Sequence, residues 1–204
     1  MQLSPGVVTT HLDDALYYAR ELGWPVFPVA PRGKLPLIAK RDGGKGLHDA
    51  TTNEETIRAW WARCPAANIG LRTGVTFDVV DIDGPKGLDA LNTVRADRPM
   101  TWGPEAVTGG GGWHLLHSPA GAGNRAGIVS HVDYRGDGGY IVAPPSVHPS
   151  GERYFWAPGA GPDEPLEPLP DWLAEFVFPR REVEPARALS IPSQRLGAYA
   201  ARAP

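Results

Sequence analysis

Val79-Val80-Asp81-Ile82-Asp83 is the stretch from which the chain is best understood. Two apolar residues lead into two carboxylates that are separated by one residue, as at the end of a buried strand. Alternate side chains of a β-strand point to the same face, so the pattern predicts that Asp81 and Asp83 project together. Carboxylate oxygens in this arrangement suit Mg²⁺ or Mn²⁺. Two solvated acids at a polar strand end would give the same pattern, and both interpretations stay open at this point.

The composition is that of one large domain or of two small modules packed closely together. The chain has 204 residues, of which 42% are hydrophobic and 21% charged, and it can bury a sizeable core. Its single cysteine, Cys64, excludes an internal disulfide framework and a multi-cysteine zinc site, so we expect no zinc. The net charge of −3 means that any binding of nucleic acid depends on local basic patches.

The chain shows no sign of a membrane segment. No stretch approaches the ~20 consecutive apolar residues of a membrane span. The N-terminus lacks a basic region followed by an apolar one, which is the pattern of a secretory signal. We therefore expect an intracellular, soluble, cytoplasmic protein that has no membrane partner.

Hydrophobic periodicity predicts a mixture of helices and strands, which is an α+β (α/β) fold class. Helices are expected at residues 12–22, from 52 to about 63, at 88–98 and at 171–178. Strands are expected at residues 24–29, 68–74, 75–83, 113–117 and 154–156. Residues 84–87 (GPKG) are expected to break the chain directly after the two aspartates. This break would place both acids at the C-terminal edge of the central strand, where the sites of α/β proteins gather.

The most basic stretch of the chain covers residues 32–45. It contains one acid, Asp42, and five basic residues: Arg32, Lys34, Lys40, Arg41 and Lys45. Its glycines would let the backbone come close to a ligand. Binding of phosphate or nucleic acid is one interpretation of this stretch, and a solvated flexible loop is the other.

A run of four glycines, at residues 109–112, directly precedes a predicted strand that contains His114. Such a run costs chain entropy, and it is expected where main-chain N–H groups approach an anion such as phosphate. A flexible hairpin loop is the alternative. A single histidine on a strand is usually structural, and His114 becomes a candidate only because the glycine run precedes it.

The third dense stretch is VDYRGDGGYIVAPPS, at residues 132–146. Alternation along a strand places Asp133 and Arg135 on one face. Asp133 would then be a third carboxylate facing a metal ion, and Arg135 would be a phosphate or electrostatic partner. The alternative is a plain β-hairpin with Asp137-Gly138 as its turn.

Together these three motifs resemble the bifunctional primase-polymerase (prim-pol) N-terminal domains of the archaeo-eukaryotic primase superfamily. The motifs are VVDID (79–83), GGGGWH (109–114) and VDYRGDGGYIVAPPS (132–146). Supporting matches are PRGKLPL (31–37), DATTNEETIRAWW (49–61) and NIGLRTG (68–74). The likeness covers roughly residues 12–178. We therefore expect a catalytic domain at 1–178 and a linker at 179–204, which would lead to a downstream domain that in this family is usually a helicase.

The resemblance implies an N-terminal α/β module and an RRM-like module, with the active site in the cleft between them. Asp81, Asp83 and Asp133 would be the catalytic carboxylates and would hold two Mg²⁺ or Mn²⁺ ions. His114 would contact the phosphates of the incoming nucleotide, helped by Gly110, Gly111, Gly112, Arg135 and Lys34. Gly112 stands where distant relatives often carry a serine.

The implied reaction is nucleotidyl transfer, in which a 3′-hydroxyl attacks the α-phosphorus of a nucleoside triphosphate and pyrophosphate leaves. The chain would then be a DNA primase or DNA polymerase in the replication of a plasmid, phage or mobile element. Its partners would be a dNTP or NTP and single-stranded or primer-template DNA, gripped by Arg32, Lys40, Arg41 and Lys45. Two alternatives are a catalytically weak nucleotide- or DNA-binding module of a replication initiator, and a metal-dependent nuclease or phosphoesterase.

Overall fold

The computed structural model describes residues 11–178, which form two antiparallel sheets and four α-helices. The helices are α1 (His11–Arg20), α2 (Glu54–Arg63), α3 (Gly84–Arg95) and α4 (Asp171–Val177). The strands are β1 (Val26–Val29), β2 (Asn68–Arg72), β3 (Asp78–Ile82), β4 (Glu105–Val107), β5 (Trp113–His117), β6 (Arg125–Val129), β7 (Val132–Arg135), β8 (Tyr140–Ala143) and β9 (Phe155–Trp156).

The smaller sheet has three strands in the order β1-β2-β8. Helices α1 and α2 pack beside it. The side chain of Asn53 caps the start of α2 by accepting a hydrogen bond from the Thr56 N–H at 2.9 Å. Apolar side chains of this sheet and these helices form one core with residues of the larger sheet such as Val79 and Leu116. Burial of this shared core holds the two sheets against each other.

The larger sheet has six strands in the order β6-β7-β3-β5-β4-β9, with β3 near its centre. One face packs against α3 and α4 through a second core, which includes Val80, Tyr134 and Leu173. Because side chains alternate along β3, Val79 and Asp81 point to the opposite face. Val79 is fully buried there and Asp81 is only partly buried, so this face is apolar at one end and polar at the other.

The central strand is shorter than predicted, and Asp83 is not part of it. Strand β3 ends at Ile82, and Asp83 lies just before the first residue of α3. Gly84 has a φ of 63°, which turns the chain, and Pro85 is accommodated in the first helical turn, where its missing N–H costs nothing. The strand therefore ends close to the two aspartates, as predicted, but the helix expected at 88–98 runs from Gly84 to Arg95, so residues 84–87 form its first turn.

The alternative of a plain β-hairpin around Asp137-Gly138 is excluded. Strand β7 belongs to the larger sheet and β8 to the smaller one, so residues 136–139 carry the chain from one sheet to the other. Two strands were missed altogether, β4 and β6. Strand β4 has only three residues, and β6 is largely exposed and contains Gly127 at a φ of 62°, so neither shows the alternation by which strands are recognised.

The other predicted helices and strands are confirmed, with ends that shift by a few residues. Within residues 11–178, none of the helices combines the length and the apolar character that crossing a bilayer requires. The predicted linker at 179–204 lies outside the described residues.

Candidate active site

A row of three polar side chains crosses the larger sheet. Asp81 on β3 is directly paired with His114 on β5 and with Asp133 on β7. Directly paired residues of antiparallel strands point to the same face, so the three side chains are neighbours although the chain separates them widely. Strand pairing therefore brings parts of all three sequence motifs together.

This row borders a pocket of about 430 Å³ between the two sheets. The larger sheet and its loops contribute Asp81, Asp83, Thr108, His114, Asn124 and Arg135 to its lining. The opposite side is formed by Lys34, Tyr140, Ile141, Val142 and Tyr154, together with Gly138 and Gly139 from the connection between the sheets. Five of the predicted site residues thus line one pocket: Lys34, Asp81, Asp83, His114 and Arg135.

Arg135 bridges two of the three candidate carboxylates. Its Nη2 donates to Asp81 Oδ2 at 3.0 Å and to Asp133 Oδ2 at 2.9 Å, and its Nε lies 3.2 Å from the same Asp81 oxygen. The other oxygen of Asp133, Oδ1, accepts the Gly127 N–H at 2.8 Å. Both oxygens of Asp133 are therefore engaged, and Asp133 lies behind Arg135 and is not part of the pocket lining.

His114 is buried at the base of the pocket. Its Nε2 is 3.6 Å from Asp81 Oδ1, and its Nδ1 is buried without a hydrogen-bond partner among residues 11–178. Burial lowers the pKa of His114, and the charges of Lys34 and Arg135 lower it further, while Asp81 acts in the opposite direction. The imidazole is therefore neutral near pH 7 and can donate one N–H to an anionic ligand.

Tyr154 lines the pocket, although its sequence pattern indicates only a strand at residues 154–156. Its side chain is buried, and burial together with the charge of Asp81 raises the pKa of Tyr154 to about 12. Its ring lies between those of His114 and His148, with centroids 6.2 and 6.0 Å away. An aromatic residue in a short strand is typical of a core position, so no local signal marks Tyr154 as a pocket residue.

The glycine run forms the tight turn between β4 and β5. The Gly111 N–H donates to the Thr108 carbonyl and the Gly112 N–H to Thr108 Oγ1, both at 2.9 Å. These two amides are thus used inside the turn, and Gly110, Gly111 and Gly112 do not line the pocket. The geometry therefore does not support the phosphate contacts that were predicted for Gly110, Gly111 and Gly112.

Gly112 is required by a close approach of the backbone. A Cβ atom at this position would lie 2.2 Å from the carbonyl oxygen of Ile82 and 3.1 Å from the amide nitrogen of Gly84. Both atoms belong to the segment that carries Asp83. The serine that distant relatives carry at the matching position would not fit here without a shift of this segment.

The basic stretch divides into one pocket residue and four surface residues. Lys34 lines the pocket, and the Tyr140 hydroxyl fixes its backbone by donating to the Lys34 carbonyl at 2.9 Å. The other four side chains are exposed and outside the pocket lining: Arg32, Lys40, Arg41 and Lys45. Among them, Arg41 forms an exposed ion pair with Asp42 at 3.7 Å.

The acids near the pocket fit a hard divalent cation by their chemistry. Within residues 11–178, no three His, Cys, Asp or Glu side chains are grouped closely enough to form a ready-made metal site. The guanidinium of Arg135 stands between Asp81 and Asp133, and this positive charge occupies the place where a cation would be favoured. Asp81, Asp83 and Asp133 offer only carboxylate oxygens, which Mg²⁺ and Mn²⁺ prefer.

A family model matches most of the chain. The sequence model of the Prim-Pol family, described as bifunctional DNA primase/polymerase, N-terminal, matches residues 15–172. No curated protein matches the chain. The matched range includes every strand of both sheets and all the residues that line the pocket.

Proposed function

The chain belongs to the bifunctional DNA primase/polymerase (Prim-Pol) family, and from this premise we propose that it is a metal-dependent nucleotidyltransferase, a DNA primase or DNA polymerase. The observation that carries the proposal is the row formed by Asp133, Asp81 and His114 beside a pocket between two sheets. The row combines carboxylates for a cation with a neutral donor for phosphate, which is what a nucleoside triphosphate and its metal ion require.

The topology of the larger sheet supports the archaeo-eukaryotic primase arrangement as part of this proposal. Its four central strands follow the order β7-β3-β5-β4. Helix α3 connects β3 to β4, and β5 lies between these two strands in the sheet. This split β-α-β connection is the hallmark of ferredoxin-like sheets, to which an RRM-like module is related. The smaller sheet with α1 and α2 would be the N-terminal α/β module, and the pocket lies between the two.

The predicted site residues have separate roles in this proposal. Asp81, Asp83 and Asp133 would hold the cation, which when bound would offset the triphosphate charge and lower the pKa of the attacking 3′-hydroxyl. His114 would donate its N–H to a phosphate oxygen, and Lys34 would add positive charge from the opposite side of the pocket. The preorganised donors would favour the charge that develops as pyrophosphate leaves.

The DNA would bind through charge and without reading of its sequence. Arg32, Lys40, Arg41 and Lys45 are exposed on the stretch that also carries the pocket residue Lys34. Exposed basic side chains contact phosphates and release counterions, so the affinity falls steeply with salt. We therefore propose that this stretch contacts the backbone of the template or primer strand.

The test is extension of a labelled DNA primer on a template with Mg²⁺ or Mn²⁺ and with dNTPs or NTPs in turn. Extension by the wild type and its loss in Asp81→Asn/Asp83→Asn are expected. The matched control is Asp89→Asn/Asp97→Asn, which removes two exposed acids at or next to α3 and outside the pocket and should extend normally. Shortening of the primer would identify a nuclease, and binding of DNA or nucleotide without extension would identify a binding module.

A further inference from the structure

Arg135 makes a contact that its expected role toward the nucleotide does not explain. Its guanidinium binds Asp81 and Asp133 at 3.0 and 2.9 Å, and only 33% of its side chain is exposed. The carboxylates are more enclosed still, with 15% and 23% of their side chains exposed. Charge-assisted hydrogen bonds with this geometry and partial desolvation are the strong kind.

The position of Arg135 follows from strand geometry. Asp81 and Asp133 are directly opposite on neighbouring strands, where two like charges repel. Arg135 lies two residues after Asp133 on the same strand and therefore on the same face. A cation at this point cancels the repulsion, and Arg135 provides it from within the chain.

A divalent ion that bridges Asp81 and Asp133 would compete with Arg135 for the oxygens that Arg135 now binds. Asp81 Oδ2 is within 3.2 Å of both Nε and Nη2 of Arg135, and Asp133 Oδ2 accepts from Nη2. The guanidinium and the ion carry charge of the same sign, so both cannot occupy the gap between the two carboxylates. Binding of the ion to both acids requires that Arg135 release them.

We propose that Arg135 is a positioning residue that acts as an internal counter-cation for Asp81 and Asp133, and that the triphosphate of the nucleotide displaces it from them. This inference rests on the proposed function. Phosphate oxygens are good bidentate partners for a guanidinium, and Arg135 already lines the pocket where the nucleotide would lie. The transfer of Arg135 from carboxylate to phosphate leaves the acids free at the moment when the ion arrives.

The consequence is that Arg135 opposes binding of metal alone and favours binding of nucleotide. Metal and nucleotide therefore assist each other. A nucleotide that binds Arg135 frees the carboxylates for the metal ion, and a metal ion that binds the carboxylates frees Arg135 for the nucleotide. Such assistance is reciprocal by thermodynamic necessity. A purely structural arginine would not affect the two ligands in opposite directions.

The experiment measures binding of Mn²⁺ alone, by the electron paramagnetic resonance signal of the free ion, and binding of dATP alone in EDTA, by calorimetry. The variants are Arg135→Gln and Arg135→Lys. The matched control is Arg72→Gln, which neutralises an arginine paired with Asp137 at 3.7 Å outside the pocket lining. Circular dichroism verifies that each variant is folded, and Arg135→Lys retains the charge should Arg135→Gln fail to fold.

Arg135→Gln should bind Mn²⁺ at least tenfold more tightly than the wild type and dATP at least tenfold more weakly. For both ligands, the affinity of Arg135→Lys should lie between that of the wild type and that of Arg135→Gln, because an ammonium cannot bridge both carboxylates in the same way. Arg72→Gln should match the wild type. If Arg135→Gln binds Mn²⁺ as the wild type does, or more weakly, the inference is wrong and the proposed function stands. If no variant binds Mn²⁺ even with dATP present, the metal site is refuted, and both proposals fail with it.

Discussion

Replacement of Gly112 by alanine tests how tightly the turn before β5 is packed against the segment that carries the acids. The new Cβ would lie 2.2 Å from the Ile82 carbonyl oxygen and 3.1 Å from the Gly84 nitrogen, and neither atom belongs to a flexible side chain. Ordinary contact distances are about 3.5 Å, so the backbone on one side must move by roughly 1 Å. The residues on the far side of the clash, Ile82 and Gly84, directly flank Asp83.

The expected cost can be worked out from this clash. Overpacking of this kind lowers the free energy of unfolding by about 1–3 kcal/mol. Replacement of a glycine by alanine also reduces the entropy of the unfolded chain, which raises the free energy of unfolding by about 0.4–1 kcal/mol in either variant. Gly110→Ala is the matched control, because its Cβ would meet only the imidazole of His148, at 3.2 Å, which can move aside. Gly112→Ala should thus be about 2 kcal/mol less stable than Gly110→Ala, which corresponds to a melting temperature lower by about 4–8 °C.

Urea denaturation of both variants at one temperature measures this difference, and primer extension measures its effect on the site. A displacement of about 1 Å near reacting groups can reduce a rate on the order of 100-fold, so Gly112→Ala should lose activity well beyond its loss of folded protein. Gly110→Ala should keep both stability and activity. Equal stability of the two variants would refute the close approach at Gly112, and equal activity would refute its coupling to Asp81 and Asp83.

Three further predictions concern the core, the pH dependence of folding and the DNA contact. Tyr134→Phe removes the hydroxyl that donates to the buried carboxylate of Asp78 and should lower the free energy of unfolding by about 1–3 kcal/mol in urea titrations. Burial lowers the pKa of His117 to about 4, below the value of about 6.5 in the unfolded chain. Between these two values the unfolded chain binds a proton that the folded protein does not, so the free energy of unfolding is highest above pH 6.5 and falls as the pH drops toward 4. In His117→Gln the stability should depend less on pH across this interval, and an unchanged slope would exclude His117 as its source. Lys40→Ala/Arg41→Ala should flatten the plot of log affinity for single-stranded DNA against log salt, as measured by fluorescence anisotropy, and an unaltered slope would show that these residues do not contact DNA.

Features that depend on neighbouring residues could be predicted from the sequence. The face shared by Asp133 and Arg135 follows from the two-residue period of a strand. The position of α2 follows from the spacing of its apolar residues and from the acids in its first turn. The family resemblance, read from the order of three motifs, is confirmed by the match to residues 15–172.

Features that depend on distant strands could not be predicted in this way. Nothing near Asp81 in the sequence indicates that His114 and Asp133 are its direct neighbours, because pairing of β3 with two remote strands sets that register. The bridge made by Arg135 follows from the same register. The apparent hairpin after Arg135 was misleading because Asp137-Gly138 has the residues of a tight turn, whereas packing places the next strand in the other sheet.

The place of β8 in the smaller sheet has a consequence for the order in which the protein can fold during synthesis. Strands β1 and β2 leave the ribosome early, but their third partner follows only after β7 has been made. Until then one edge of β2 has no partner, and an unpaired edge is a place where chains aggregate. A nascent chain that stops before Tyr140 would hold both candidate metal-binding motifs and still lack the strand that forms the opposite side of the pocket. The pocket is thus completed among the last parts of the fold, and a prematurely terminated chain would lack one of its sides.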